Sequence, residues 1–312
     1  MKSKGLLSDT HQLTRITILA GIVLVLAVIS FAGYYYYDRY YNQPQLGTQE
    51  MSVAHAEQAV RDNPEDLEKR MALAEIYMLY QRYTDAITQA QQVLASEPDN
   101  QRGWLVIGVA SANTGNPADA IDPLTRFVDA RKDEEMPGLD KSLQAAAYYL
   151  GDSYLQLGQP QEAIEPLTQA VNWSQTDADA MYKLGMAYSA LQDYPNAVNM
   201  FSAATTFVPD FLEAYDAMAL AYDAAGKPDY GDYARGMSAY SKKDYKTAVE
   251  LLKKSAQAQP GYAPTFAGLG MAFEALGNLQ EAFDAYQTGV QLDPNNFAAS
   301  RGLERVQKLL NK

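Results

Sequence analysis

The sequence predicts an all-α protein, with one N-terminal transmembrane helix followed by an α-solenoid of antiparallel helix pairs. Three observations carry this. Small, large and proline residues recur at a 34-residue spacing through most of the chain. An uncharged apolar run lies near the start, from Ile16 to Gly33. Glycines and prolines punctuate the repeated part at the ends of short segments, as they would between paired helices.

Composition narrows the function classes. The 312 residues make about two compact domains or one elongated array. Lys and Arg number 25 against 38 Asp and Glu, a net charge of −13, which repels phosphate backbones and argues against nucleic acid. There is no cysteine, so disulfides, thiolate zinc sites, iron–sulfur clusters and a cysteine nucleophile are excluded. The two histidines, His11 and His55, do not share a metal-ligand spacing. With no phosphate loop, triad spacing or metal motif, the chain reads as a non-enzyme and implies no cofactor.

Residues 1–15 are read as a cytoplasmic N-terminal segment. Ile16–Gly33 continues through Tyr34–Tyr37, and 22 helical residues span roughly 33 Å, enough for a bilayer core. Ile16 to Tyr37 is therefore read as a transmembrane helix in contact with lipid. Tyr34 to Tyr37, Tyr40 and Tyr41 are six of 23 tyrosines, and such rings suit the headgroup layer. Residues 38–48 are a Tyr-rich juxtamembrane linker. Lys2, Lys4 and Arg15 precede the span and only Arg39 follows it closely. That bias places the N-terminus in the cytoplasm and the rest beyond the inner membrane, in the periplasm. Ser30-Phe31-Ala32 fits a small-x-small cleavage site, but the length of the apolar run favours an uncleaved anchor.

The repeat is visible in pairs. Leu150-Gly151 matches Leu184-Gly185, and Tyr154 matches Tyr188. Ala163 pairs with Ala197, Ala170 with Ala204, Ala248 with Ala282 and Pro260 with Pro294. Ala86 pairs with Ala120, and Leu73-Ala74 with Ile107-Gly108. This pattern resembles the tetratricopeptide repeat, over about residues 49–312. With positions counted from the start of each repeat, the resemblance implies Gly or Ala at 8 and Ala at 20, where the paired helices cross. Large residues at 4, 7, 11 and 24 surround that crossing, and Pro at 32 stops the second helix. Full repeats are read at 67–100, 101–134, 144–177, 178–211, 229–262 and 263–296. An extra helix over about 49–62 precedes them. A capping helix over about 296–310 follows, with Arg301, Glu304, Arg305 and Lys308 on its polar face. Gly115, Gly158 and Gly277 are read as turns within pairs.

Two places break the rhythm. The repeat after Arg131–Gly138 starts late, which predicts a longer exposed loop there. Then Leu212–Gly226 reads as a first helix, with Tyr215, Met218, Ala219 and Tyr222, but starts only 17 residues before the next repeat. No partner helix is expected for it, and Asp232 and Arg235 suit the following first helix poorly. Three helices stand where four would be regular, with a change of twist near Gly226–Gly236. The array is divided into lobes at 49–228 and 229–312.

The resemblance also implies a concave groove lined by positions 2, 5, 9 and 12 of each first helix. The first repeat contributes Met71, Glu75 and Met78, and the second Leu105 and Val109. Tyr148, Asp152 and Leu155 follow, then Tyr182 and Met186, and Leu220 from the irregular helix. This lining is apolar, methionine-rich and acidic, which suits protein or peptide partners carrying Lys or Arg beside apolar anchors. The chain thus reads as a membrane-anchored adaptor in assembly, secretion or maturation of envelope complexes. The alternative is a fixed structural subunit of a membrane complex or a self-assembling, homo-oligomeric scaffold. Intact-mass measurement of protein from carbonate-washed membranes should find the chain retained with its original N-terminus. A mature chain beginning at Gly33 would show instead a cleaved signal.

Overall fold

In the computed structural model, residues 47–311 are described, together with eight residues between Ala20 and Phe31. The chain divides into two compact units, 1–55 and 56–312. In the first unit the eight residues are helical. The expected membrane span at 16–37 and its tyrosine linker otherwise lie largely outside the described residues. Among the described residues no helix is long and apolar enough to cross a membrane.

From Thr48 onward the described residues form fifteen α-helices and no strand. Helix α1 (Thr48–Asp62) runs across the division between the units. The second unit continues with α2 (Leu67–Leu79), α3 (Tyr83–Ser96), α4 (Gln101–Asn113), α5 (Pro117–Arg131), α6 (Lys141–Gln156) and α7 (Pro160–Trp173). Next come α8 (Ala178–Ala190), α9 (Tyr194–Phe207), α10 (Leu212–Ala224), α11 (Pro228–Ser241) and α12 (Tyr245–Ala258). The last three are α13 (Ala263–Ala275), α14 (Leu279–Leu292) and α15 (Phe297–Leu310). From α2 to α15 each packs on its neighbour in sequence, so the unit is an α-solenoid.

The helix ends follow from the residues around them. Asp66, Asn100, Asp140, Asp177 and Asn296 accept a backbone N–H in the first turn of α2, α4, α6, α8 and α15. Each such cap stabilises its helix by about 1 kcal/mol. Helices α3, α9, α12 and α14 stop two residues before Pro98, Pro209, Pro260 and Pro294, because proline clashes with the preceding turn. The late start after α5 is filled by residues 132–140, with one 3₁₀ turn at Pro137–Leu139. Met136 and Leu139 are exposed there. Gln144 pins this loop by donating to the Gly138 carbonyl at 2.6 Å.

Paired helices approach most closely where the first helix has no side chain. A Cβ on Gly185 would lie 2.6 Å from the Phe201 ring, and one on Gly236 2.7 Å from Leu252. Gly108, Gly151 and Gly270 face Leu124, Leu167 and Tyr286 in the same way. Phe201, Leu124, Leu167, Leu252 and Tyr286 are fully buried and lie at the equivalent point of their own helices.

The irregular segment has an unexpected solution. Every described residue with positive φ sits in the turn between a first and a second helix: Gln81, Gly115, Gly158, Gln192, Gly226, Lys243 and Gly277. Gly226 precedes α11 and Lys243 follows it. Helix α11 is thus entered by one within-pair turn and left by another. It packs on both α10 and α12, acting as second helix to one and first helix to the other. The expectation that α10 lacks a partner is corrected: α11 is shared. That is why its sequence fits a first helix poorly. Asp232, buried in α11, is held by Lys254 of α12 at 2.7 Å and by Arg235 at 3.2 Å. Arg235 also reaches Asp223 of α10 at 3.0 Å. The buried cluster around α11 runs from Phe201 through Tyr215, Tyr222, Tyr233 and Leu252 to Leu269, so the core is continuous across residues 228 and 229.

The last helix is latched. Arg305 donates two hydrogen bonds to Glu274, at 2.6 and 2.7 Å, and the Tyr286 hydroxyl donates to the same carboxylate at 2.9 Å. The Arg305 hydrogen bond, then that from Tyr286, outweigh partial burial and hold the Glu274 carboxyl below its usual 4.5. Its contribution to stability is therefore full above that value and is lost as pH falls through the lowered one. Amide hydrogen exchange in α15 should speed up as pH falls below about 4.5, after correction for intrinsic exchange. The Glu274→Gln variant should lack this pH step. Gly185→Ala should lower stability by about 1–3 kcal/mol in denaturant unfolding, since Phe201 has nowhere to move. Gly261→Ala, with open space around its Cβ, should be near neutral.

Candidate functional site

A cavity of about 460 Å³ opens on the first helices of the first three repeats. Its floor is apolar. Met78 comes from α2, Leu105, Val106 and Val109 from α4, Phe127 from the end of α5 and Ala145 from α6. The spacing of Leu105 and Val109, one turn apart on α4, places both on one face. Charged groups stand around this floor: Glu75, Arg102, Arg131 and Lys141.

Most of those charges are already matched. Arg102 donates to both oxygens of Glu75, at 2.8 and 3.0 Å, and to Glu68 at 2.8 Å. The Glu75 hydrogen bond, then that to Glu68, raises the Arg102 guanidinium further above its ordinary range. Arg131 lies over the Phe127 ring at 5.4 Å and pairs with Glu134 at 2.8 Å and Asp140 at 3.0 Å. Lys141 reaches only the Gln144 carbonyl, at 3.3 Å, among the described residues. The cavity is therefore an apolar surface edged by paired charges and one lysine.

Further along, Asp152 on α6 is buried and bound by Lys183 of α8 at 2.5 Å, with Gln156 donating to it at 2.7 Å. Tyr148 packs edge-on against Tyr149 at 5.3 Å, and burial pushes its phenol well above the ordinary range, with Asp152 adding to the effect. Tyr182 is half-buried between Phe201 and Phe211, at 5.8 and 5.2 Å.

Models of the tetratricopeptide repeat match residues 80–135, 145–172, 179–210 and 263–296. Those segments carry tetratricopeptide repeats. Over 134 residues it is 24% identical to "Small glutamine-rich tetratricopeptide repeat-containing protein 2" of Mycosarcoma maydis, covering 43% of this chain and 33% of that protein. Over 262 residues it is 21% identical to "Hsp70-Hsp90 organizing protein 3" of Arabidopsis thaliana, covering 84% of this chain and 43% of that one. The chain thus matches less than half the length of these relatives. The crystal structure of MamA protein is similar at 26% identity and a TM-score of 0.48, over 62% of this chain and 96% of that one.

The residues expected in the groove fall into three groups. Glu75, Met78, Leu105 and Val109 come together around the cavity. Tyr148, Leu155 and Tyr182 are half-buried, while Met186 and Leu220 are exposed, Leu220 at 70%. Met71 is a correction. At 1% exposure it belongs to the core, where its burial stabilises the fold by about 1.5–3 kcal/mol and leaves nothing for a partner. Asp152 and Glu75 are carboxylates as expected, but ion pairs with Lys183 and Arg102 offset their charge. The acidic character expected of the groove is therefore largely cancelled.

Sequence reasoning missed Arg102, Phe127, Arg131 and Lys141. Arg102 and Ala145 occupy the second position of their repeats, so the same spacing rule points to both. Lys141 carried no such signal, because α6 begins three residues before the repeat does. Replacing Lys183 with Met should lower stability by about 1–3 kcal/mol, since Asp152 would be left buried without its ion-pair partner. The double variant with Asp152→Asn should recover part of that loss in denaturant unfolding.

Proposed function

We propose that this protein is an adaptor that docks a segment of a partner protein in the groove over α2, α4 and α6, with the N-terminal segment anchoring it in the inner membrane. The observation that carries the docking reading is the 460 Å³ cavity with its floor of Met78, Leu105, Val109 and Phe127. A cavity of this size and character takes an apolar anchor, and burial there supplies affinity at about 25 cal/mol per Å². The paired charges around it contribute orientation more than affinity. An occupant chosen for Lys or Arg is not favoured, because Arg102, Arg131 and Lys141 stand beside Glu75. The repeat architecture and the relation to "Hsp70-Hsp90 organizing protein 3" support an interaction role rather than a catalytic one.

Anchoring rests on the uncharged run Ile16–Gly33, the tyrosines after it and the cations before it. Val23, Leu24, Val28 and Phe31 within that run expose 60–72% of their surface, as side chains facing lipid would. The cation bias places the repeats in the periplasm, where the partner is a protein of the envelope.

Leu105→Ala with Val109→Ala should weaken capture of the native partner roughly tenfold while far-UV circular dichroism stays unchanged. The partner is identified by cross-linking in native membranes. A folded variant with unaltered affinity would move the working surface elsewhere. Protease added to spheroplasts should digest the repeats, and protection of residues 47–311 would invert the topology.

A further inference from the structure

The shared helix changes which layer of the solenoid forms the groove. Up to α10, first helices touch the first helices of neighbouring repeats: α2 meets α4, α4 meets α6, α6 meets α8 and α8 meets α10. After the shared helix the contacts between alternate helices pass to the other layer: α11 meets α13, and α13 meets α15. The second helix α9 and the first helices α11 and α13 therefore lie in one layer. That layer is not the one that carries α2, α4 and α6.

That layer holds its own cavity, of about 400 Å³. Met271 of α13, half-buried at the ninth position of its repeat, lines it, and Tyr233 and Met237 of α11, at the fifth and ninth positions, form its buried floor. The end of α9 closes one side with Thr205 and Thr206, and the residues before and at the start of α15 close another with Asn295 and Phe297. None of its fifteen lining residues is Asp, Glu, Lys, Arg or His, whereas four of the twelve around the first cavity are charged. Tyr215 and Tyr233 stay neutral as well, since burial holds both phenols above their ordinary range. Phe297, 72% exposed, stands at the mouth with Arg301 stacked on its ring at 5.3 Å, and Arg301 faces Glu304 at 3.6 Å.

We propose that this cavity between α9, α11, α13 and α15 is a second docking site, for an uncharged partner segment carrying an aromatic or aliphatic anchor. The thioether and aromatic floor fits the anchor. Thr206 and Asn295, exposed at the rim, offer hydroxyl and amide groups to the segment's backbone. A charged side chain entering the cavity finds no charged group among its lining residues and loses its hydration, so the site discriminates by exclusion. Two grooves on different layers let one chain hold two different partners at once.

The test uses the full chain in detergent micelles. As the protein has no cysteine, Met271→Cys takes one environment-sensitive fluorophore at the second cavity and Met78→Cys one at the first. The probes are short, end-capped peptides of Ser, Thr and Asn with a central Phe, Leu, Met or Tyr. Matched versions carry Glu or Lys on both sides of the anchor. The neutral set should shift the Met271 label with affinity nearly constant from about 0.05 to 0.5 M salt. The charged versions should bind roughly tenfold more weakly. Thr206→Lys and Ala298→Glu, both at exposed rim positions, should each weaken neutral-peptide binding at least roughly fivefold, with unchanged melting and no effect at the Met78 label. Three results overturn the proposal: no neutral peptide moving the Met271 label at about 1 mM, charged peptides binding as well as neutral ones, or sedimentation showing self-association through this face that Ala298→Glu abolishes. Each leaves the first groove untouched, because that site has its own label.

Discussion

Everything in the solenoid depends on one steric arrangement, the placement of a bare backbone in the first helix against a bulky, fully buried side chain in the second. Gly108 against Leu124, Gly151 against Leu167, Gly185 against Phe201, Gly236 against Leu252 and Gly270 against Tyr286 are the same contact made five times. Ala74 and Ala219 occupy the matching positions where no glycine stands, and both are buried. Because helices packed this closely lose solvent from both faces, a thirteen- or fourteen-residue helix that would be marginal alone is stabilised by its neighbours. The groove inherits its geometry from this contact. Leu105 and Val109 flank the face of α4 that carries Gly108 and packs on α5, and they line the cavity beside that contact.

Much of this was readable from the residues. The recurrence of Leu150-Gly151 at Leu184-Gly185 identified the helix crossing, and prolines such as Pro209 and Pro294 marked where second helices stop, because those features act through local sterics. What escaped was set by context. In sequence, helix α11 resembles a badly formed first helix because Asp232 and Arg235 lie where apolar residues belong. Both are satisfied by groups on two flanking helices, which no single register reveals. The left-handed turn at Lys243 was hidden too, because lysine gives no sign of a positive φ where Gly226 does.

The candidate site was half legible for a related reason. Positions on a helix face are predictable from periodicity, so Glu75, Met78, Leu105 and Val109 converge as expected. Whether a residue on that face meets solvent or a neighbouring helix depends on partners remote in sequence. Met71 obeys the spacing and is still buried. Charge was harder again. The carboxylates of Glu75 and Asp152 look free in one dimension, and only the packing of successive repeats brings Arg102 and Lys183 within reach. An inventory of charges along a groove is therefore a poor guide to its field until cross-repeat pairs are known.

The shared helix also bears on how the array comes apart. In a regular solenoid, stability is close to a sum of repeat terms and nearest-neighbour interfaces, so a weak interface lets one end fray while the other stays folded. A helix that is counted in two repeats leaves no such interface between them. Losing α12 leaves α11 paired with α10, and losing α10 leaves it paired with α12, but either loss strips one of the two faces that α11 buries. The half-period slip thereby acts as a cooperativity splice, binding α10 to α12 into one unit that melts together in an architecture otherwise built from separable parts.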